Sequence, residues 1–339
     1  MERLGRTAER HGAIDVGAKI SELSAFLGDG LARVEAELRA LPEGDTPLHA
    51  SARHLVETGG KRLRPMCALL AARAGGEITE AARAVAVAVE LVHAATLLHD
   101  DVVDVGELRR GAPAARVLYG NAASVFAGDY LLVDALRRVL AAAPRELPAL
   151  LSLLREMLEG EALQLDQRGR LDGSLDTYLR IVRGKTASLF RFALAAGARA
   201  GGAREDVARA LGDFGEELGL AFQVIDDALD FSGDPAVVGK STLTDLREGK
   251  ATYPLLVAMG VDPRIGAVLR AALATADGLD DAAATRLAAD ILATGAVERS
   301  VEFAASRAAE ARGHLDVVPD ADARRALSTV VTTLTHRRA

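Results

Sequence analysis

Residues 84–104 read Ala-Val-Ala-Val-Ala-Val-Glu-Leu-Val-His-Ala-Ala-Thr-Leu-Leu-His-Asp-Asp-Val-Val-Asp. Through residue 99 this run is apolar nearly all round, broken only by Glu90, His93 and His99. A helix of that kind lies inside a bundle rather than on its surface. Residues 214–231 repeat the pattern, and both runs end in acids: Asp100-Asp101-Val-Val-Asp104 and Asp226-Asp227-Ala-Leu-Asp230. Outward from these two, periodicity and punctuation predict helices over 17–41 (interrupted near Gly28–Gly30), 47–58, 65–74, 78–104, 121–142, 147–168, 174–199, 203–232, 251–259, 263–275, 280–293, 295–313 and 319–336. No segment alternates convincingly as a strand. The expectation is an all-α, single-domain bundle with both acidic clusters on central helices.

The acids carry the first functional signal. Residues four apart on a helix share a face and rise about 6 Å along the axis, so Asp100 with Asp104, and Asp226 with Asp230, each form a carboxylate pincer. Like charges so placed destabilise a bare helix. Mg²⁺ removes that penalty, because it takes one or two carboxylates and completes its shell with water and substrate phosphate oxygens. Two pincers point to a metal diphosphate.

Composition narrows the field. The chain has 339 residues, half of them hydrophobic and only 4% aromatic, which favours helices packed closely on alanine and leucine. A net charge of −7 argues against nucleic acid as the main partner, since binding by counterion release needs a clustered basic surface. The single Cys67 lies in an apolar run and reads as a small core residue. The first residues mix acids and bases without an apolar segment, and no later stretch is uninterrupted for long enough to span a bilayer. A cytoplasmic protein without a transmembrane segment is expected.

The basic residues fall in short groups beside glycine: Gly59-Gly60-Lys61-Arg62-Leu-Arg64-Pro65, Arg109-Arg110-Gly111, Gly184-Lys185-Thr186, Gly239-Lys240, and Asp245-Leu-Arg247-Glu248-Gly-Lys250. Two glycines free the backbone before Pro65 starts a helix, and a helix N-terminus flanked by cations is an anion site. Taken singly, an Asp pair is usually a solvated face, a Gly-Gly-Lys a turn and a lone His a satisfied core residue. Taken together these readings fail, because the Asp triplets follow Thr96-Leu-Leu-His99 and Phe222-Gln223-Val-Ile225, and acids in apolar neighbourhoods need partners or metals. Arg62, Arg247 and Glu248 are implicated only by adjacency and read as surface or supporting residues.

From about residue 45 onward the sequence resembles the trans-isoprenyl diphosphate synthases, or polyprenyl synthetases. The resemblance is carried by Gly59–Pro65, His93–Asp104, Arg109-Arg110-Gly111, Gly128-Asp129, Glu159-Gly160-Glu161, Lys185-Thr186, Phe222–Asp230, Gly239-Lys240 and Asp245–Pro254. It implies mostly antiparallel helices around a central cavity, a homodimer, and Mg²⁺ as cofactor, three ions when an allylic diphosphate is bound. Asp100, Asp104 and Asp226 would be the metal ligands, with Asp101, Asp227 and Asp230 supporting them in the catalytic set alongside Lys185 and Lys240. Arg109, Lys185, Thr186, Gln223, Lys240 and Lys250 would surround the allylic diphosphate. Lys61, Arg64, His93 and Arg110 would hold the diphosphate of isopentenyl diphosphate. The reaction implied ionises a dimethylallyl, geranyl, farnesyl or geranylgeranyl diphosphate and adds isopentenyl units to the cation. Residues 1–44 lie outside the match as a helical extension to a domain spanning 45–339.

Val92, Ala95 and Thr96, the residues behind the first cluster, gauge product length. They are small, where the family's short-chain members place bulky aromatics, so a medium or long polyprenyl chain of the kind used for quinones is expected. A geranylgeranyl product stays open, because other helices can close the floor. Arg116 and Leu243 depart from the pattern, standing where Asn, His or Thr, and Gly, are usual. Three competing readings are a class I terpene cyclase, a noncatalytic subunit or prenyl diphosphate binding module of a heteromeric synthase, and a purely structural helical protein. The second Asp motif and the Gly-Gly-Lys-Arg site disfavour the first. Retention of both clusters disfavours the second, and Lys185, Lys240 and Lys250 the third.

Overall fold

Helical spacing of apolar residues is realised along almost the entire chain in the computed structural model, which describes residues 14–41, 44–171, 173–232, 243–275 and 278–335. The elements are α1 (Ile14–Leu27), α2 (Gly30–Arg39), α3 (Pro47–Glu57), α4 (Leu63–Gly75), α5 (Glu80–Val103), β1 (Leu108–Arg109), β2 (Ala112–Pro113), α6 (Ala115–Tyr119), α7 (Asn121–Ala142) and α8 (Leu147–Gln167). There follow α9 (Leu175–Val182), a π-helical turn (Arg183–Ala187), α10 (Ser188–Ala200), α11 (Glu205–Ser232), α12 (Thr244–Arg247), α13 (Tyr253–Val261), α14 (Pro263–Leu273), α15 (Asp281–Ala293), α16 (Ala296–Gly313) and α17 (Ala321–Thr335). Among the described residues the only strands are β1 and β2, a two-residue antiparallel pair. The predicted helix 174–199 is interrupted by the π turn. The hairpin and the short α6 and α12 carry too few residues to show a period.

The chain divides into two compact units. The first comprises residues 1–151, 191–212 and 315–330. Its centre is α5, capped by Thr79, whose hydroxyl oxygen accepts from the Ala82 amide at 3.1 Å while its O–H donates to the Ala200 carbonyl at 2.8 Å. Val85–Val89, Leu91, Val92, Ala95 and Leu98 are fully buried. By length and composition this helix could cross a membrane, contrary to the reading of the sequence, but 72% of its most apolar window is buried inside the protein. It packs on α7, where Ser124 Oγ donates to the Leu98 carbonyl at 3.0 Å. Gly128 lies so close to His99 that a Cβ would fall 2.3 Å from Nε2. Small residues likewise let α10 approach α4: a Cβ on Gly197 would lie 2.3 Å from the Ala68 carbonyl oxygen, and one on Gly201 2.2 Å from that of Ala72.

The helices before residue 45 pack into this unit through Leu27, Leu31, Val34 and Leu38. They also supply Glu35 to Arg62. Arg62, which the sequence left as a surface or supporting residue, is buried, with Nε 2.6 Å from Glu35 Oε1, Nη1 2.5 Å from Glu90 Oε1 and Nη2 donating to the Val56 carbonyl.

The second unit comprises residues 152–190, 213–314 and 331–339. One apolar cluster joins Leu171, Ala228, Phe231 and Leu246 to Leu255, Leu269, Leu287 and Ile291. A second joins Tyr178, Val182, Leu220, Val224, Tyr253 and Ala304. Gly160 and Gly184 meet closely, since a Cβ on Gly184 would lie 2.8 Å from the Glu156 carbonyl and one on Gly160 2.9 Å from the Lys185 amide. That backbone approach lies at the π turn. Single π turns recur at functional sites.

Candidate functional site

In the first unit, α5 delivers Asp100 and Asp104 one turn apart at its C-terminal end, with the Asp104 amide donating to the Asp100 carbonyl at 2.8 Å. Asp101 turns inward and is fully buried. Its Oδ1 accepts from Arg109 Nη2 at 2.5 Å and Nε at 2.9 Å, while Oδ2 is buried without a hydrogen-bond partner. Immediately beyond, Val105 takes a left-handed conformation (φ 54°), uncommon for a β-branched residue. Arg116 spans this bend, donating to the carbonyls of Val105 at 3.1 Å and Gly106 at 3.0 Å. The hairpin then pairs Arg109 with Ala112 across Arg110-Gly111, both at positive φ, the geometry of a two-residue primed turn.

That turn presents Arg110 to the Gly-Gly-Lys-Arg segment. A Cβ on Gly60 would lie 2.8 Å from Arg110 Nη2, so the glycine is what admits the guanidinium. Arg64, Arg110, Arg109 and Arg62 all act on His93, whose pKa is held well below its ordinary value first by burial and then by these four cations. Lys61 stands exposed beside them. A neutral imidazole among four guanidinium groups suits an anion. Of the residues read as product-length determinants, Val92 and Ala95 are fully buried, and Thr96 donates its hydroxyl to the His93 carbonyl at 2.8 Å.

In the second unit a cavity of about 170 Å³ is lined by Lys185, Thr186, Gln223, Asp226, Asp227 and Lys250, all singled out from the sequence. Lys185 Nζ is 2.5 Å from Glu161 Oε2 and donates to Gln164 Oε1 at 3.0 Å. Lys250 Nζ is 2.6 Å from Glu248 Oε2 and 3.9 Å from Asp245 Oδ1. Thr186 Oγ1 donates to Gln223 Oε1 at 3.0 Å, and Gln223 Nε2 to Asp227 Oδ1 at 2.9 Å. Asp227 Oδ2 accepts from the Tyr178 hydroxyl at 2.6 Å and from the Tyr253 amide at 3.4 Å. Burial, then the charge of Asp245, pushes the Asp227 carboxyl up to about 7. Burial and Asp227 raise the Tyr178 phenol well above its ordinary value. Asp230 is buried; its Oδ2 accepts from the Asp245 amide at 3.3 Å and its carbonyl from the Leu243 amide at 3.1 Å. Leu243 sits at φ 61°, a left-handed conformation that glycine would adopt at less cost. Lys240 and Gly239 lie outside the described residues.

The sequence reading passed over Tyr178, Gln164 and Arg168 and gave Asp245 no role of its own; all four also line the cavity. Tyr178 left one trace: it stands seven residues before Lys185, on a helix predicted to be continuous.

The donors suit a hard dication. They are carboxylate oxygens only, and the buried Oδ2 of Asp101 is a negative charge that a cation held by Asp100 and Asp104 would offset. Among the described residues no three His, Cys, Asp or Glu side chains converge into a metal cage. Mg²⁺ needs none, since it takes few protein ligands and completes its shell with water and phosphate oxygens.

An all-α fold carrying two acidic helix clusters, a cationic cluster around a neutral histidine and a lysine-lined cavity fits an enzyme of diphosphate chemistry; Asp230, buried on the Asp245 amide, does not line that cavity with Asp226. The polyprenyl synthetase family model matches residues 45–290, and the chain belongs to that family. It is 39% identical to the heptaprenyl diphosphate synthase component 2 of Geobacillus stearothermophilus, covering 90% of this chain and 95% of that one. Identity to the nonaprenyl diphosphate synthase of Mycobacterium tuberculosis is 36%, over 94% and 95%. Among solved structures it is similar to a polyprenyl synthase from Caulobacter crescentus, crystallised with calcium and isoprenyl diphosphate: TM-score 0.87 and 37% identity, over 95% of this chain and 98% of that one. The protein is a prenyltransferase that elongates prenyl chains.

Proposed function

We propose that the protein condenses isopentenyl diphosphate with a dimethylallyl, geranyl, farnesyl or geranylgeranyl diphosphate in a Mg²⁺-dependent reaction, making a medium or long trans-polyprenyl diphosphate for quinone side chains. The observation that carries this reading is the cavity lined by Lys185, Thr186, Gln223, Asp226 and Lys250. It gathers residues spread over 66 positions of sequence, from 185 to 250, into one polar pocket of the size of a diphosphate group.

Asp100 with Asp104, and separately Asp226, would hold Mg²⁺, which when bound would supply positive charge against that developing on the departing pyrophosphate. Lys185 and Lys250, held by Glu161 and Glu248 at the cavity, supply ammonium groups to the phosphate oxygens. Ammonium groups fixed where negative charge develops lower the barrier to ionisation. Lys61, Arg64, Arg110 and His93 hold the isopentenyl diphosphate; it enters as a trianion among cations and needs no metal. Buried alkyl side chains of α5 keep water from the allylic cation.

A homodimer in the cytoplasm is part of the proposal. On α7, Phe126, Val133 and Leu140 recur every seven residues and are exposed at 60%, 54% and 57%, an apolar stripe of the kind that buries against a partner helix. A second reading, favoured by the Geobacillus relative named as component 2 of its synthase, has this chain active only with another subunit. A geranylgeranyl product is the alternative within the same chemistry.

The test replaces Asp100 and Asp226 separately by alanine and measures incorporation of labelled isopentenyl diphosphate into farnesyl diphosphate by the purified chain. Each variant is expected to fall by about 10³-fold or more, the scale of losing a principal electrostatic element of catalysis. Near-parental turnover in both would overturn the mechanism.

A further inference from the structure

Asp227 is buried, and its two oxygens receive three donors: Gln223 Nε2, the Tyr178 hydroxyl and the Tyr253 amide. This fixes more than the carboxylate. With Asp227 ionised its Oδ1 only accepts, so Gln223 turns its NH₂ toward Asp227 and its carbonyl oxygen toward Thr186. Thr186 then donates its one hydroxyl proton to Gln223, so toward the cavity it offers lone pairs, which accept from an ammonium or a water and not from a phosphate oxygen. The direction of the hydrogen bonds from Asp227 to Thr186 is therefore set at the carboxylate, and the Tyr178 hydroxyl, bound to its other oxygen, fixes how that carboxylate is turned.

The tyrosine end is itself braced. The Tyr178 ring meets that of Tyr253 edge to face, with centroids 5.7 Å apart, and Tyr253 stacks on Phe303 at 4.7 Å. Arg307 lies over Phe303, 5.5 Å from its centroid, and forms an ion pair with Glu217 at 3.4 Å. Rings so packed have little rotamer freedom, which holds the phenol oxygen on Asp227.

We propose that Tyr178 is a positioning residue for the diphosphate cavity, acting through Asp227 and Gln223 to orient Thr186 beside Lys185 and to keep Asp227 from turning toward the metal side of Asp226. This rests on the prenyl-transfer reading of the site. Tyr178 touches no reacting atom in this role. Tyr178→Phe removes one O–H and leaves the ring packing in place, so the aromatic ladder stays while the relay loses its anchor.

The experiment uses the full chain with Mg²⁺, farnesyl diphosphate and isopentenyl diphosphate. Tyr178→Phe is expected to lower kcat about tenfold or more, the effect of losing a hydrogen bond to a charged group. The Mg²⁺ concentration for half-maximal rate should rise, while KM for isopentenyl diphosphate stays within about twofold. In a Thr186→Val background the same substitution should cause no further loss, since both changes break one relay. Additive losses, or Tyr178→Phe kinetics equal to the parent's, would overturn the proposal. Gln223→Glu repeats the test from the middle of the relay should the phenylalanine variant melt early: its carboxylate cannot donate to Asp227, and parental kinetics there would overturn the proposal equally. A parent enzyme that incorporates no isopentenyl diphosphate would strike the underlying prenyl-transfer reading instead.

Discussion

Arg62 Nη1 lies 2.5 Å from Glu90 Oε1 inside the first unit, with neither side chain more than 8% exposed. The pair ties the segment between α3 and α4 to the middle of α5, and a third group, Glu35 on α2, closes on the same guanidinium. Arg62 takes φ 49° to do so, a left-handed conformation that glycine would adopt at less cost. Lys61 and Arg64, which the proposal places on a diphosphate, thus flank a residue anchored to Glu35, Glu90 and the Val56 carbonyl.

Removing one partner of such a pair strands a buried charge. Glu90→Ala should destabilise the protein by about 3 kcal/mol, the lower end for breaking a buried ion pair, because Glu35 still neutralises part of Arg62. Urea unfolding monitored by circular dichroism measures it. A loss under about 1 kcal/mol would show that the pair contributes little.

His93 predicts an acid limb. Burial and the charges of Arg64, Arg110, Arg109 and Arg62 depress its pKa below the ordinary value of 6.5, so the unfolded chain binds a proton below that pH which the native protein refuses. Native stability is therefore fully present above pH 6.5 and declines as pH falls from there toward the depressed value. Thermal melts from pH 7 down to about 5 should show His93→Gln losing less stability than the parent over this window. Inorganic pyrophosphate should shrink the difference by adding negative charge beside the imidazole. Parallel pH profiles for parent and variant would contradict the account.

Cys67 is fully buried on α4, and burial pushes its thiol up to about 12. The thiolate is the reactive form, so the native protein should resist iodoacetamide at pH 8 and react once unfolded in guanidinium. Rapid stoichiometric labelling of the native chain, read by mass spectrometry, would contradict this burial.

The long helices were legible because each carries its own period and its own caps, such as Pro47 at the start of α3 and Thr79 before α5. The cavity residues Lys185, Thr186, Gln223, Asp226, Asp227 and Lys250 were noticed because they stand in short groups beside glycine or at the end of an apolar helical run. What sequence did not show depends on partners distant along the chain. Arg62 looked like surface charge because Glu35 and Glu90 lie 27 and 28 residues away. The π turn arises where Gly184 meets Gly160, and Tyr178 becomes meaningful only when Asp227, 49 residues on, accepts its proton. The left-handed Leu243 was visible only as a departure from a usual glycine.

Ala95 tests the proposed gauge of product length. It is fully buried five residues before Asp100, about 7.5 Å down the helix. Ala95→Phe should shorten the product by at least one isoprene unit while leaving isopentenyl diphosphate incorporation measurable. Chromatography of dephosphorylated products decides it, and an unchanged chain length would move the floor to another helix.

The central claim is tested most directly by incubating the purified chain with labelled isopentenyl diphosphate and farnesyl diphosphate, with and without Mg²⁺, and sizing the products. The account predicts label in linear polyprenyl diphosphates longer than the geranylgeranyl chain, and none when the metal is chelated. Cyclised hydrocarbons without incorporated label, or no incorporation by the chain alone at any Mg²⁺ concentration, would contradict it.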